Sequence, residues 1–283
     1  MIQRLKDEPE VSIRRALILA IGNYENLAES DRQALGTELL SWYKTDRDAG
    51  IHAAAGWALR RWGQQAEIDD VDKALSTGKI EDERNWYVTQ ANTHTLAVIS
   101  GPVEFQMGSP TTEKDREPDE MQHGRRIERR FAIATTEVTV AQYRSFIQDT
   151  GISFSFTEKY LPDDECPQGS LNWYQAAQYC RWLSEQEGLA GRLLPNDLGL
   201  FDMQGNVWEW CQDGYASYTT SGKSMLDRPS VDALSERSSR VLRGGSFNSR
   251  ASSVRSACRN YSPPGYRNDY FGFRLDRTYN LSL

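Results

Sequence analysis

Apolar residues recur at helical spacing through the first third of the chain, and this pattern predicts three short amphipathic helices. The helices fall on VSIRRALILAIGNY (11–24), SDRQALGTELLSWYKTD (30–46) and AGIHAAAGWALRRWG (49–63). Ser30 is a predicted N-cap, and Gly22–Asn23 and Gly63 are predicted helix ends. The predicted buried positions are Ile13, Ala16, Leu17 and Ala20, then Leu35, Leu39, Leu40 and Trp42, then Ile51, Ala55, Leu59 and Trp62.

Short amphipathic helices in close succession are typical of stacked HEAT-like pairs. We therefore interpret residues 1–66 as an α-helical, HEAT-repeat-like region. So few helices do not make a stable array alone, which indicates either the end of a longer array or a cap on the next domain. Residues 67–96 are rich in charge and are predicted as a linker.

The pattern becomes β-like from about Thr89. THTLAVIS, PVEFQMGS and RRFAIATTEVT alternate or run apolar between turn-forming residues. Two helices interrupt the strands, at VAQYRSFIQDTG (140–151) and NWYQAAQYCRWLSEQEG (172–188). Residues 97–283 are therefore predicted as one α+β domain.

Composition and charge limit the kinds of molecule that the chain is expected to bind. The net charge of -7 opposes nucleic acid or an anionic membrane as the main partner. No apolar run is long enough to span a bilayer, and the first residues lack the apolar core of a signal peptide. The four cysteines show no Cys-x-x-Cys spacing and are too sparse for a disulfide scaffold, so a cytoplasmic location is expected.

Several ordered motifs carry a specific resemblance. They are FQMGS, FAIATTEVTVAQYRSFI, NWYQAAQYCRWLS, GLFDMQGNVWEWCQDGY, RVLRGGS, RSACR and GFR. Together they resemble the formylglycine-generating-enzyme (sulfatase-modifying factor) domain, a variant of the C-type lectin fold, over about residues 97–280. The resemblance implies an α+β, C-type-lectin-like domain behind the helical region. Such modules also end large bacterial signalling or defence proteins, which leaves upstream effector domains or a larger parent chain open.

The catalytic residues of that family are not matched. Its oxidases bind copper through two cysteines after the Gly-Gly-Ser turn, whereas Gly244-Gly245-Ser246 is followed only by the isolated Cys258. Related sulfoxide synthases use three histidines on iron, but His52, His94 and His123 are scattered, with no His-x-x-x-His helix. The segment that the family carries before GLFDM is also nearly absent. We expect no enzyme, and the alternative is an oxidoreductase with Cys258 in an altered copper role.

The resemblance further implies a candidate calcium site in GLFDMQGNVWEW. Its ligands would be the side chains of Asp202 and Glu209 and the carbonyls of Gly205 and Val207, which are hard oxygen donors. From the residues alone, Asp202 can equally cap a turn, and Glu209 can pair with an arginine of the final segment. No other cofactor is expected.

The segment between the Gly-Gly-Ser turn and Gly-Phe-Arg has the composition of a binding loop, in which tyrosines supply rigid contact area and small polar residues adapt. Arg255, Arg259, Arg267 and Arg274 are predicted to pin it to carboxylates or carbonyls of the core. The candidate ligand-binding residues are Phe247, Asn248, Ser249, Cys258, Asn260, Tyr261, Ser262, Gly265, Tyr266, Asn268, Asp269, Tyr270 and Phe271.

Each of these residues except Phe247 belongs to a set of twelve that can be written as codons reached from AAC by changing only adenines. The segment resembles the variable region of the variable proteins of diversity-generating retroelements, which place mutable residues on one ligand-binding face. This resemblance implies a non-catalytic module with a protein ligand and with Tyr261, Tyr266 and Tyr270 exposed. The alternatives are a fixed, ordinary family C-terminus and a sensor or scaffold piece of a larger protein.

Overall fold

The structure is a computed structural model that describes residues 2–24, 26–156, 161, 163–188, 193–195, 204–218, 225–226 and 238–278. The chain divides into two compact units, Met1–Val98 and Ile99–Leu283. Within the described ranges, none of the helices has both the length and the apolar character needed to cross a membrane.

The first unit is helical, as the periodicity predicts. Its elements are α1 (Ile2–Asp7), α2 (Val11–Gly22), α3 (Glu29–Thr45), α4 (Ala49–Arg61) and α5 (Gln65–Leu75), followed by the antiparallel pair β1 (Trp86–Val88) and β2 (Thr95–Ile99). Helix α4 is the most buried of them, with Ile51, Ala55 and Leu59 inside the core that α2 and α3 complete. Asp48 caps α4 through its side chain, and Gly63 follows the helix at positive φ.

The buried face of α2 differs from the predicted one. Ile18 and Ile21 are buried, whereas Ile13, Ala16 and Ala20 are exposed and Leu17 is half-buried. Five consecutive apolar residues, LILAI, leave the periodicity with no unique stripe, so packing against α4 decides the face. The start of α3 also differs, because the helix begins at Glu29 with no side-chain cap, one residue before the predicted cap.

The interval predicted as a charged linker, 67–96, contains most of α5 and all of β1. Ile68 and Leu75 are buried on one side of α5, while Asp69, Asp70 and Lys73 are exposed on the other. The charge of this segment therefore belongs to the solvent face of an amphipathic helix.

The second unit mixes strands with two helices, which confirms the α+β prediction. Its elements are β3 (Val103–Met107), β4 (His123–Ile127), β5 (Phe131–Ala134), α6 (Val140–Thr150), α7 (Trp173–Gln186), β6 (Leu193–Pro195), β7 (Trp208–Gly214), β8 (Met225–Leu226), β9 (Arg240–Arg243), β10 (Asn260–Ser262), β11 (Phe271–Gly272) and β12 (Leu275–Thr278). Capping boxes begin both helices, with Thr139 and Gln142 on α6 and Asn172 and Gln175 on α7.

The strands of this unit pair non-sequentially. β12 lies between β5 and β6, β4 lies between β3 and β8, and a four-stranded sheet has the order β10-β9-β7-β11. Aromatic rings fill the core between the helices and strands, with Tyr179 of α7 in contact with Tyr143, Phe146 and Phe273. Trp208 and Trp210 of β7 are buried, as their position in GLFDMQGNVWEW indicates.

The first unit contains two buried histidines that make its stability depend on pH. His52 stacks between Tyr43 and Trp86, with ring centroids 4.1 and 3.8 Å away, and its Nδ1 lies 2.6 Å from the Tyr43 carbonyl oxygen. Burial, with nearby Arg60 and Arg84, lowers the pKa of His52 to about 3, and burial alone lowers the pKa of His94 to about 3.

Both histidines are neutral when folded and bind a proton on unfolding below their ordinary pKa of 6.5. The free energy of unfolding should therefore fall as the pH is lowered from about 6.5 towards 3. We expect the double variant His52→Gln/His94→Gln to show a weaker loss between pH 7.5 and 5.5 than the wild type, measured by urea titration. An equal loss in both proteins would contradict this assignment.

Candidate ligand-binding surface

Both ends of the C-terminal segment require glycine, the first because of its left-handed backbone and the second because of a close contact with a neighbouring side chain. Gly244 and Gly245 have φ of 92° and 77°, and a Cβ on Gly245 would lie 2.6 Å from Cγ1 of Val254. At the other end, a Cβ on Gly272 would lie 2.7 Å from Cγ2 of Val207. These contacts explain why the segment opens with Gly-Gly-Ser and closes with Phe-Gly-Phe-Arg.

The thirteen candidate ligand-binding residues divide by accessibility. Phe247, Tyr261 and Tyr266 are 58%, 54% and 52% exposed, and Tyr270 is half-buried. Altogether ten are exposed or half-buried: Phe247, Asn248, Ser249, Asn260, Tyr261, Gly265, Tyr266, Asn268, Asp269 and Tyr270.

Three of the thirteen are buried, so a ligand does not reach them in this structure. Cys258 is 7% exposed, Ser262 is 6% and Phe271 is 5%. Phe271 is buried because its ring packs edge-on against Trp210, at a centroid distance of 5.2 Å. On β10, Asn260 and Tyr261 are exposed, whereas Ser262, the last residue of the strand, is buried.

The accessible residues lie in two groups. The strand that carries Tyr261, β10, forms one edge of the four-stranded sheet, and β11 forms the other, three strand spacings or about 14 Å away. Residues 263–270 connect the two edges. Tyr266 and Tyr270 contact Phe271 near the β11 edge, and Asp269 accepts a hydrogen bond from Ser170 Oγ at 2.6 Å.

The Tyr261 group includes two tyrosines outside the predicted set. The ring of Tyr261 lies 4.2 Å from that of Tyr215, which follows β7. The Arg259 guanidinium lies 4.7 Å from the Tyr215 ring and 4.0 Å from the Tyr218 ring, and Tyr218 accepts a hydrogen bond from Arg243. Burial and Asp119 raise the pKa of Tyr215 to about 12. The stretch DGYASY has the same composition as the C-terminal segment, and that signal could have identified both tyrosines.

An acidic loop between β3 and β4 holds the middle of the segment. Arg255 donates from Nη1 to Glu113 Oε1 at 2.8 Å and to Glu120 Oε2 at 2.8 Å, and from Nη2 to Glu120 Oε1 at 2.6 Å. Burial alone would raise the pKa of Glu120, but hydrogen bonds from Arg255 and Ser109 lower it below its ordinary value. The predicted pinning is thus confirmed for Arg255, as it is for Arg259, which donates to the Ala216 carbonyl at 2.9 Å. Arg267 is exposed.

The fourth predicted anchor, Arg274, is fully buried and meets Glu209, one of the candidate calcium ligands. Its Nε and Nη2 donate to Glu209 Oε1 at 3.0 and 2.8 Å, and its Nη1 donates to the Ala134 carbonyl at 3.2 Å. This is the alternative that the sequence left open for Glu209.

The described members of the calcium set, Gly205, Val207 and Glu209, fit Ca²⁺ poorly. The Glu209 carboxylate is already paired with the positive charge of Arg274. A calcium ion at the same carboxylate would be repelled by that guanidinium. Among the described residues, no group of three or more His, Cys, Asp or Glu side chains is arranged to hold a metal ion. Asp202 lies outside the described residues.

The cysteines and histidines considered for catalysis are dispersed. Cys258 is a free thiol whose pKa is raised by burial, so it is protonated at neutral pH. His52 and His94 belong to the first unit, whereas His123 lies on β4 of the second with its ring 4.3 Å from Tyr218.

Comparison with known proteins gives one family match and several partial relatives. The sulfatase-modifying factor enzyme 1-like domain matches residues 86–189 and 186–279, more than half of the chain. The chain is 41% identical over 88 residues to the serine/threonine-protein kinase pkn1 of Chlamydia pneumoniae, covering 30% of this chain and 14% of the kinase. It is 34% identical over 83 residues to the formylglycine-generating enzyme of Thermomonospora curvata, covering 28% of this chain and 27% of that enzyme.

Two solved structures share the fold. PvdO from Pseudomonas aeruginosa superposes with a TM-score of 0.58 at 18% identity, covering 67% of this chain and 96% of PvdO. Treponema denticola variable protein 1 superposes with a TM-score of 0.51 at 19% identity, covering 68% of this chain and 98% of that protein.

Removing the charge of Glu120 should loosen the middle of the segment. Glu120→Gln is expected to lower the free energy of unfolding by about 3 kcal/mol, because the partly buried Arg255 loses the buried one of its two ionised partners and keeps only Glu113. Glu117→Gln is the matched control, because Glu117 is exposed in the same loop and should change the value by less than about 0.5 kcal/mol. Urea titration measures both, and equal effects would contradict the anchoring role.

Proposed function

Because the chain belongs to the sulfatase-modifying factor enzyme 1-like domain family, we propose that its C-terminal segment, residues 247–271, is a non-catalytic ligand-binding surface. The observation that carries the proposal is the exposure of Tyr261 and Tyr266, both more than half exposed, in a segment that Arg255 and Arg259 hold to the acidic loop through ion pairs. Large aromatic side chains presented to solvent by a rigid backbone are characteristic of recognition surfaces.

The case against catalysis rests on the residues that follow the Gly-Gly-Ser turn. Copper chemistry in this family needs a pair of soft thiolate ligands, and Cys258 is the single cysteine in the segment. Its buried, protonated thiol is poorly suited to metal binding or nucleophilic attack. The relatives of the chain include formylglycine-generating enzymes, whereas the fold is shared with a protein named for variation, Treponema denticola variable protein 1.

The ligand that best suits this surface is a protein. The two groups of accessible side chains, around Tyr261 and around Tyr266, lie near opposite edges of the four-stranded sheet, and edges about 14 Å apart are within the span of a protein interface of ordinary size. Tyrosine, asparagine, serine and glycine side chains together offer apolar area and adaptable hydrogen bonding.

The exposed positions also suit diversification by a retroelement. Their residue types can be written as codons reached from AAC by adenine changes, and side chains that face solvent can change without disturbing a core. The relatives named as kinases are much longer than the match, since 14% of the Chlamydia pneumoniae protein is covered. By analogy with these kinases, the chain would be the ligand-binding part of a larger signalling protein or complex.

Loss of the exposed tyrosines should abolish ligand capture without unfolding the protein. Tyr261→Ala/Tyr266→Ala is expected to lose at least about tenfold of a protein partner retained by the immobilised wild type, because buried interface tyrosines dominate binding. Quantitative mass spectrometry of the retained proteins from the source cell measures this.

Tyr24→Ala supplies the matched control. Tyr24 is 55% exposed but lies in the helical unit, so its removal should leave capture unchanged. Circular dichroism verifies that all variants are folded. Retention of the same proteins by the wild type and both variants would contradict the proposed surface.

A further inference from the structure

Arg274 lies between two buried carboxylates. Glu209 accepts two hydrogen bonds from it, and the Oε2 atom of Glu137 lies 3.5 Å from its Nη2. The side chain of Arg274 is 0% exposed, that of Glu137 3% and that of Glu209 6%. Two carboxylates this close in a dry interior require a cation between them.

The same pair of carboxylates connects to the start of the C-terminal segment. Asn206 donates from Nδ2 to Glu137 Oε1 at 3.1 Å, and its backbone carbonyl accepts a hydrogen bond from the Phe247 amide at 2.7 Å. Asn206 has a φ of 59°, in the left-handed region, so its backbone depends on such contacts to hold its conformation.

The pair also connects to the end of the segment. Glu209 is paired with Gly272 in the parallel β7–β11 register, and the neighbouring Trp208 amide donates to the Tyr270 carbonyl at 2.8 Å. Arg274 itself follows β11 by two residues. One guanidinium is therefore linked to Phe247 through Glu137 and Asn206, and to Tyr270 through Glu209 and its neighbour Trp208.

We propose that Arg274 is the permanent internal cation of the Glu137–Glu209 pair, in the place of a bound calcium ion, and that it positions both ends of residues 247–271 without a metal. The planar guanidinium donates in a fixed fork to Glu209 and to the Ala134 carbonyl, a geometry that a spherical ion does not need. The claim that Arg274 takes the place of a metal does not depend on whether the segment binds a ligand. The claim that Arg274 positions the segment for binding rests on the proposed function.

Thermal unfolding in CaCl₂ and in EGTA tests this without any ligand. The wild-type midpoint should be the same in both solutions. Arg274→Gln should unfold about 10 °C lower in EGTA, since it leaves buried charges unpaired, and CaCl₂ should restore part of the loss by binding the vacated carboxylates. Arg267→Gln, at an exposed arginine of the same segment, should change neither value.

Three results would overturn the proposal. The first is a wild-type midpoint that rises with CaCl₂, with the rise lost in Glu209→Gln. The second is an Arg274→Gln midpoint equal to that of Arg267→Gln. The third is an Arg274→Gln midpoint that is the same in CaCl₂ and in EGTA. If Arg274→Gln does not fold, Arg274→Lys is used instead, because it keeps the positive charge but not the planar set of donors. Its unfolding midpoint should lie below that of the wild type and should be the same in CaCl₂ and in EGTA. A calcium-sensitive Arg274→Lys would count against the proposal. None of these outcomes bears on the proposed ligand-binding surface, which the capture experiment with Tyr261→Ala/Tyr266→Ala tests separately.

Discussion

The ion pair between Arg274 and Glu209 is the interaction on which the geometry of the C-terminal segment depends. The guanidinium has no exposed surface, so its charge is compensated entirely by the protein. Glu209 belongs to β7, which lies between β9 and β11 in the four-stranded sheet. The backbone that precedes the segment, the backbone that follows it and the central strand thus meet around one buried cation.

The residues of the segment fall into two classes, those that anchor it and those that face solvent. Arg255 and Arg259 turn inward to the acidic loop and to the turn after β7, while Tyr261 and Tyr266 turn outward. The inward residues are held by charge-assisted hydrogen bonds, which have strict geometry. The outward residues contribute little to the core, so their identity is free to serve recognition.

Much of this was predictable from the sequence, because helix and strand periods, the capping residues and the Gly-Gly-Ser and Gly-Phe-Arg motifs are local signals. The α+β class, the helical first unit and three of the four arginine anchors were predicted and are confirmed, the three being Arg255, Arg259 and Arg274. The face of α2 was not, because LILAI offers apolar residues in every direction and its neighbour α4 selects among them.

The candidate site shows the same limit. Residue type alone placed Phe271 with the exposed aromatic residues, whereas the packing of its ring against Trp210 buries it. Composition within the final segment also missed Tyr215, which joins the Tyr261 group only because β7, β9 and β10 are neighbours in the sheet. Contacts between distant parts of the chain decide both cases.

The measurement that tests the central claim most directly is the sequence of the DNA that flanks the gene. The account predicts a near-copy of the stretch encoding Phe247 to Phe271 beside a reverse transcriptase gene, with differences confined to adenines. Those differences should fall on accessible positions such as Tyr261 and Tyr266 and should spare Arg255 and Arg259. A locus with no such copy, or a copy whose differences fall on the arginines, would contradict the view of a fixed frame that carries an exchangeable recognition surface.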